Sequence, residues 1–279
     1  MATAEVAAVA AFAPAKVNLA LHVTGRRDDG YHLLDSLVVF ADVGDRLRVS
    51  LADVPSLTVA GPRGAGIPTG PGNLCLRAAA FFGASARITL EKNLPAEAGI
   101  GGGSSDAAAV LRALAQLTGR TIPPGAEALG ADVPVCIPAV ATRMRGIGEV
   151  LTPVPDLPPL AAVLVNPGVS VPTPEIFRRL QVRDTPPLPD IPALPDAAAV
   201  AGYLKATRND LEPPARAAAP VIGEVVAALD GQPGCLLARM SGSGATCFGL
   251  YPDPDAAGLA ARAIAEARPE WWVTPTILR

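Results

Sequence analysis

Residues 95–109 read PAEAGIGGGSSDAAA. Gly99, Gly101, Gly102 and Gly103 crowd into five positions, and Ser104 and Ser105 follow directly. Ala107, Val110, Leu111, Leu114 and Leu117 then recur at helical spacing until Thr118-Gly119 ends the run. Glycine is the residue that most readily takes the left-handed cap of a helix. Upstream, Ile88 and Leu90 alternate with Arg87, Thr89 and Glu91, which is the period of a half-buried strand. The order is strand, glycine turn, helix. Such a turn suits a phosphate chain. Glycine lets the backbone come close, and a helix N-terminus offers unpaired N–H groups at the positive end of its dipole. The stretch is not a Walker loop, because no Gly-Lys-Ser/Thr follows. Nor does it fit a dinucleotide fingerprint, because Lys92-Asn93-Leu94-Pro95 interrupts the strand-to-helix turn. Taken alone, it also describes a flexible loop before a capped helix.

Working outward, residues 17–23 are largely apolar and strand-like, and Arg26-Arg27-Asp28-Asp29-Gly30 reads as a turn, since Asp and Gly supply turn hydrogen bonds and positive φ. A second apolar run covers 33–43, and Leu47, Val49 and Leu51 alternate with polar neighbours as a further strand. Four prolines in residues 153–159 separate two lobes. A buried strand follows at 160–165, stopped by Asn166-Pro167-Gly168. Residues 183–196 carry five prolines and read as a surface linker. Pro220 opens a helix with Val221, Ile222, Val225, Val226 and Leu229 on one face, ended at Asp230-Gly231. A helix over 256–267 and a strand over 271–278 close the chain. There is no internal repeat. Alternating strands mixed with amphipathic helices, without regular βαβ order, predict an α+β fold.

Composition narrows the function. The chain has 279 residues, half of them hydrophobic, and a formal net charge of -3. No basic face points to nucleic acid. Cys75, Cys136, Cys235 and Cys247 are widely spaced, and with two histidines they match no familiar zinc pattern; they read as reduced buried thiols of a cytoplasmic protein. The alanine-rich start, residues 1–13, lacks the positive n-region of a signal peptide. No run reaches the length of a membrane helix.

Three more segments stand beside the glycine turn: APAKVNL (13–19), LGADVPVCI (129–137) and RMSGSGATCFGL (239–250). With GYHLLDSL (30–37) and NPGVSVPTPEIF (166–177), they make a set that resembles the GHMP kinases over nearly the whole chain. The resemblance implies a two-lobed GHMP kinase fold with the active site in the cleft between lobes. Residues 1–155 would be the N-terminal ATP-binding domain and 156–279 the C-terminal domain. It also implies transfer of a phosphoryl group from ATP to the 2-hydroxyl of a cytidine-diphosphate-linked methylerythritol, on the non-mevalonate route to isoprenoid precursors.

The same resemblance distributes roles. Asp132 is the general base and Lys16 its partner, holding the carboxylate ionised; singly, Asp132 also reads as a helix cap and Lys16 as a snorkelling edge residue. Pro95, Ala96, Glu97, Ala98, Gly99, Ile100, Gly101, Gly102, Gly103, Ser104 and Ser105 form the ATP loop. Asn18, two residues from Lys16 and so on the same strand face, lies near the substrate. Tyr31 and Phe177 sandwich the cytosine ring, His32 reads its edge, and Thr173 and Pro174 belong to the same substrate loop; singly, these aromatics read as core. The turn Ser241-Gly242-Ser243-Gly244 closes near the phosphates or the substrate diphosphate, or is an ordinary hairpin turn. Mg²⁺ is expected with ATP, with Ser104 or Ser105 and the nucleotide as ligands and no dedicated protein metal site. No nucleic-acid or membrane partner is implied, and the expected state is a monomer or weak homodimer.

Two departures from the family pattern stand out. Glu97 occupies a place where small residues are usual, so its carboxylate should face solvent. Arg143-Met144-Arg145 replaces smaller or apolar residues. Two other functions fit the residues less well: a GHMP kinase for mevalonate or homoserine, against which GYHLLDSL and NPGVSVPTPEIF argue, and an inactive ligand sensor, which would be expected to lack Lys16 or Asp132.

Overall fold

The computed structural model describes residues 7–182 and 184–279. Residues 1–6, the first part of the alanine-rich start, and Arg183, the first residue of the proline-rich stretch, lie outside the described residues. Two compact units interleave along the chain. One comprises Met1–Ala15, Gly44–Ala96 and Gly102–Pro138; the other comprises Lys16–Val43, Glu97–Gly101 and Ala139–Arg279. Two long strands, β1 (Ala8–Arg26) and β2 (His32–Leu51), pair with each other and contribute residues to both units. No single cut separates the units, and the last changeover falls at 138/139 rather than 155/156.

The apolar run at 33–43 and the alternation at 47–51 belong to one strand, because β2 runs straight through the residues between them. A side chain at Gly44 would lie 2.2 Å from the Ala13 carbonyl oxygen, so only glycine lets β1 pass this close. Asp45 makes no turn. Its carboxylate accepts the backbone N–H groups of Asn93 at 2.6 Å and Leu94 at 2.8 Å.

The first unit continues with β3 (Ser56–Ala60), α1 (Leu74–Phe82), β4 (Ala86–Glu91), α2 (Gly102–Thr118), a 3-10 turn at Ala126–Ala128 and α3 (Val133–Cys136). β4 is central. It runs antiparallel to β2 from Arg46↔Glu91 to Leu51↔Ala86 and parallel to β3 from Ser56↔Arg87 to Ala60↔Glu91. The parallel pair requires a crossover, and α1 supplies it. The alternation read in β4 holds: Ala86, Ile88 and Leu90 are buried, while Arg87, Thr89 and Glu91 are exposed. Phe82 of α1 and Val110, Leu111 and Leu114 of α2 share one core with Val49, Ile88 and Leu90. α1 is an element that periodicity leaves out. Its signals are its caps: the Asn73 side chain accepts from the Cys75 N–H, and Gly83 takes φ 71°.

The second unit holds β5 (Thr142–Gly146), β6 (Val150–Pro153), β7 (Leu160–Asn166), α4 (Thr173–Arg179), α5 (Ala197–Lys205), α6 (Glu212–Ala218), α7 (Val221–Asp230), β8 (Leu237–Met240), β9 (Cys247–Tyr251), α8 (Pro254–Ala267) and β10 (Trp272–Leu278). β7 lies between β10 and β9 and is buried along its whole length, which explains its unbroken apolar run. β10 also meets β2 at Leu278↔Ala41, and β5 pairs with β2 from Leu34↔Gly146 to Val38↔Thr142. Ile222, Val225 and Leu229 of α7 and Ala260 and Ile264 of α8 pack with Val163 and Val165.

The described part of the proline-rich stretch, 184–196, is no linker. Leu188 and Leu194 are buried. The Leu188 N–H donates to Asp35 at 3.0 Å, and its carbonyl accepts from Arg143 at 2.7 Å. Arg143 grips the same Asp35 with Nε at 2.8 Å and Nη2 at 2.6 Å, so this departure from the family pattern is a strap anchor. Prolines remove donors that a strand would need, and a few buried anchors replace them. All four cysteines are free, with Cys75, Cys136 and Cys247 buried. Among the described residues, no helix is long and apolar enough to cross a membrane.

Candidate active site

The glycine motif is divided between the units: residues 97–101 belong to the second, and Gly102 onward belongs to the first. Within the second unit, the turn 97–101 is fastened through its carbonyls. Ala98 O accepts from the Thr246 N–H at 3.1 Å, Gly99 O from Ser241 Oγ at 3.2 Å and Ile100 O from the Lys16 N–H at 2.9 Å. Gly99 and Gly101 take φ 72° and 62°. The Lys16 side chain runs across Gly101, whose missing side chain would lie 3.2 Å from Lys16 Cβ. Lys16 itself is buried.

The turn Ser241–Gly244 locks into this one. A side chain at Gly99 would meet Gly244 O at 2.6 Å and Ser241 O at 2.7 Å, and one at Gly242 would meet Gly99 O at 2.6 Å. The second glycine-serine turn is the hairpin connection between the antiparallel β8 and β9, and it is also the surface against which the first turn is moulded. Gly99→Ala is expected to cost at least about 1–3 kcal/mol from its positive φ alone, with the backbone overlap added. It should lower the melting temperature. Gly72→Ala, in open space, is the matched control and should leave it unchanged.

The Ser241–Gly244 turn also touches two of the expected substrate residues of this unit, Asn18 and Thr173. The Asn18 N–H donates to Ser241 Oγ at 3.0 Å, and Asn18 Nδ2 donates to Ser36 Oγ at 2.7 Å. Asn18 Oδ1 is buried, with no hydrogen-bond partner among the described residues. Thr173 Oγ1 and Ser243 Oγ are 2.7 Å apart. Thr173 and Pro174 open α4, and Phe177 follows one turn later. The His32 ring stacks on Phe177, with centroids 4.9 Å apart and an interplanar angle of 25°, so one face of Phe177 carries His32. Tyr31 is 62% exposed.

Arg239, which the motif reading passed over, is buried on β8. Its guanidinium donates to the carbonyls of Leu19, Leu204 and Thr207, each at 2.9 Å, and burial pushes its pKa down to about 10. It ties the strand that enters the Ser241 turn to the β1 segment carrying Lys16 and Asn18.

In the first unit, Gly102, Gly103, Ser104 and Ser105 form the first turn of α2. The Asp132 turn lies beside them, since a side chain at Gly130 would be 3.8 Å from Ser104 Oγ. Asp132 occupies the N-cap position of α3, but its side chain makes no capping hydrogen bond. The capping reading therefore fails.

Under α2 lies a charged cluster that the sequence reading missed. Lys92 Nζ donates to Asp45 Oδ2 and, at 2.8 Å, to Asp106 Oδ2, with all three side chains buried. The ammonium would lie 3.2 Å from a side chain at Gly102, directly beneath the first residue of α2. Burial lowers the Lys92 pKa, but the two carboxylates more than offset this and raise it. Burial, helped by Asp45 and opposed by Lys92, pushes Asp106 up to about 7. Asp106 Oδ1 and Ser105 Oγ are buried without hydrogen-bond partners among the described residues. The available signal was a lysine and two aspartates in otherwise apolar surroundings, where an unpaired charge would be costly.

Comparison with known proteins places the chain in a family. Residues 73–137 match the GHMP kinases N terminal domain and residues 190–270 the GHMP kinases C terminal domain. The 4-diphosphocytidyl-2-C-methyl-D-erythritol kinase of Dinoroseobacter shibae is 63% identical over 97% of this chain and 95% of its own. That of Cereibacter sphaeroides strain ATCC 17029 is 58% identical over 95% and 97%. A crystal structure of 4-(cytidine 5'-diphospho)-2C-methyl-D-erythritol kinase superposes with TM-score 0.76 at 38% identity, covering 97% of this chain and 99% of that one. The chain therefore belongs to the GHMP kinases, in the family of the 4-diphosphocytidyl-2-C-methyl-D-erythritol kinases.

Proposed function

We propose that this chain transfers the γ-phosphoryl group of ATP to the 2-hydroxyl of 4-diphosphocytidyl-2-C-methyl-D-erythritol, on the methylerythritol phosphate route to isopentenyl diphosphate. The observation that carries the reading is the pair of interlocked glycine turns, with Lys16 lying along one and Thr173 bonded to the other. A moulded backbone of this kind can hold phosphates without a Walker lysine.

In this reading the amides of residues 95–105, with Ser104 and Ser105, bind the phosphate chain at the positive end of α2. The 2-hydroxyl oxygen forms its bond to the γ-phosphorus as the bridge to the β-phosphate breaks, and Asp132 accepts the hydroxyl proton. Lys16 holds Asp132 ionised and offsets charge on the moving group. Asn18 Oδ1 has an unmet acceptor to offer a substrate hydroxyl.

Mg²⁺, bound with ATP, would neutralise the β- and γ-phosphates. Among the described residues, no group of three or more His, Cys, Asp or Glu converges to cage a metal. The nucleotide's oxygens would hold it, and the unpartnered Ser105 Oγ is the hydroxyl of the loop that fits as a further oxygen ligand. Cytoplasmic location and a monomeric or weakly dimeric state belong to the same reading.

The test is ADP release by the full chain with cytidylated methylerythritol against mevalonate and homoserine. Turnover with the first alone is expected, and turnover with neither it nor the others would overturn the reading. Phe177→Ala is expected to raise substrate KM about tenfold while changing kcat little, because stacking on a base is worth roughly 1–3 kcal/mol in ground and transition states alike. Initial rates at varied substrate check this.

A further inference from the structure

Glu97 is the only acidic residue between Pro95 and Ser105. It is exposed, as its charge demands, but it is not loose. Its backbone takes φ 49°, the left-handed region that side chains rarely adopt. The next two carbonyls, Ala98 O and Gly99 O, are already held by Thr246 and Ser241. The backbone is thus fixed, and only side-chain rotation remains. Ser170 removes that freedom: its Oγ–H donates to Glu97 Oε2 at 2.6 Å.

Ser170 has a fixed place of its own. It follows β7, where Asn166 Oδ1 accepts the Gly168 N–H at 2.8 Å and Asn166 Nδ2 donates to Thr246 Oγ1 at 2.9 Å. The next residue, Val171, is buried. The exposed serine is thus flanked by anchored residues, in the same unit as Glu97.

We propose that Ser170 is a positioning residue for nucleotide binding: it holds the Glu97 carboxylate in one direction, so that the single negative charge of the glycine loop stays off the phosphates of ATP. The inference rests on the reading that residues 95–105 bind those phosphates. A carboxylate swinging freely on this loop would repel several phosphate charges at once. A hydroxyl donor is the mildest restraint available. It satisfies the carboxylate without bringing in a lysine or arginine that could itself seize the nucleotide.

The test is a double-mutant cycle on the full chain, with KM for ATP, kcat and melting temperature measured for wild type, Ser170→Ala, Glu97→Gln and the double variant. Ser170→Ala is expected to raise KM for ATP about fivefold at low salt, the scale of one carboxylate acting through water on several phosphate charges, with kcat and melting temperature nearly unchanged. The increase should shrink at about 0.5 M KCl, where charges are screened within about 4 Å. Adding Glu97→Gln should return KM to the wild-type value or below. The proposal is overturned if Ser170→Ala leaves KM unaltered, or if the double variant binds ATP as poorly as the single. It is equally overturned if Glu97→Gln alone raises KM for ATP, which would make the carboxylate a helper in binding. A wild-type chain that turns over no ATP would instead sink the functional reading itself, and the two failures are distinguishable.

Discussion

Asp132→Asn is expected to lower kcat by about 10²–10⁴-fold, the usual contribution of a general base, while leaving ATP affinity close to wild type. The substitution keeps the size of the side chain and removes the carboxylate that the proposed mechanism uses as proton acceptor. Two structural facts make the outcome diagnostic. The Asp132 side chain does not cap α3, so the change costs no capping energy. The N-terminal turn of α2 is built from other residues, so the phosphate site should survive. Rapid-quench measurement of the phosphoryl-transfer step, with calorimetric titration of ATP on the same preparation, checks both halves. A parallel fall in kcat and ATP affinity, with a lower melting temperature, would show that Asp132 acts by holding structure rather than by accepting a proton.

Lys92→Met is expected to destabilise the chain by about 3–5 kcal/mol, the scale for removing one partner of a buried ion pair. Asp45 loses less, because its other oxygen keeps two backbone N–H groups. Asp106 loses the Lys92 ammonium at 2.8 Å and already has an unpaired oxygen. Adding Asp106→Asn to Lys92→Met should therefore recover part of the loss, which urea denaturation can measure.

The same cluster gives a pH signature. The Asp106 carboxyl has a folded pKa of about 7 against an ordinary value of 3.8. The folded state thus holds a proton that the unfolded chain has released. The stability this contributes is complete below about pH 4 and is lost as pH rises through about 7. His22 works in the opposite direction: burial lowers its pKa below 6.5, so its contribution is lost on acidification. The difference between wild type and Asp106→Asn isolates the aspartate. That difference should favour the asparagine variant increasingly from about pH 5 to about pH 8, by an amount on the order of 1 kcal/mol or more. Unfolding midpoints that run parallel across this range would show that Asp106 is ionised throughout.

Much of the fold was legible because local rules agreed with the tertiary outcome. The alternation in 86–91, the apolar run at 160–165 and the helices after Gly101 and Pro220 appear where periodicity places them. Elements failed to be read where a local signal meant something else in three dimensions. The runs 33–43 and 47–51 look like two strands, but they are one: the glycine between them is there for a crossing strand and the aspartate for two amides of a distant loop. The prolines of 183–196 look like a linker, but the ion pair of Arg143 and Asp35 draws Leu188 inward. α5 and α6 give weak periodic signals, being rich in alanine and proline, and packing decides them.

The sequence by itself determined the α+β class, the glycine turn opening α2, and the family, because each is written in residues that are neighbours along the chain or in motifs of fixed order. Only the tertiary structure decided what those residues touch. It set the two glycine turns against each other, buried Lys92 between two aspartates far from it in sequence, laid His32 on Phe177, and gave Glu97 a serine to hold. The reason is physical: backbone preference and hydrophobic period act over a few residues, whereas close backbone approach and the pairing of buried charge are settled when distant segments exclude water from one another.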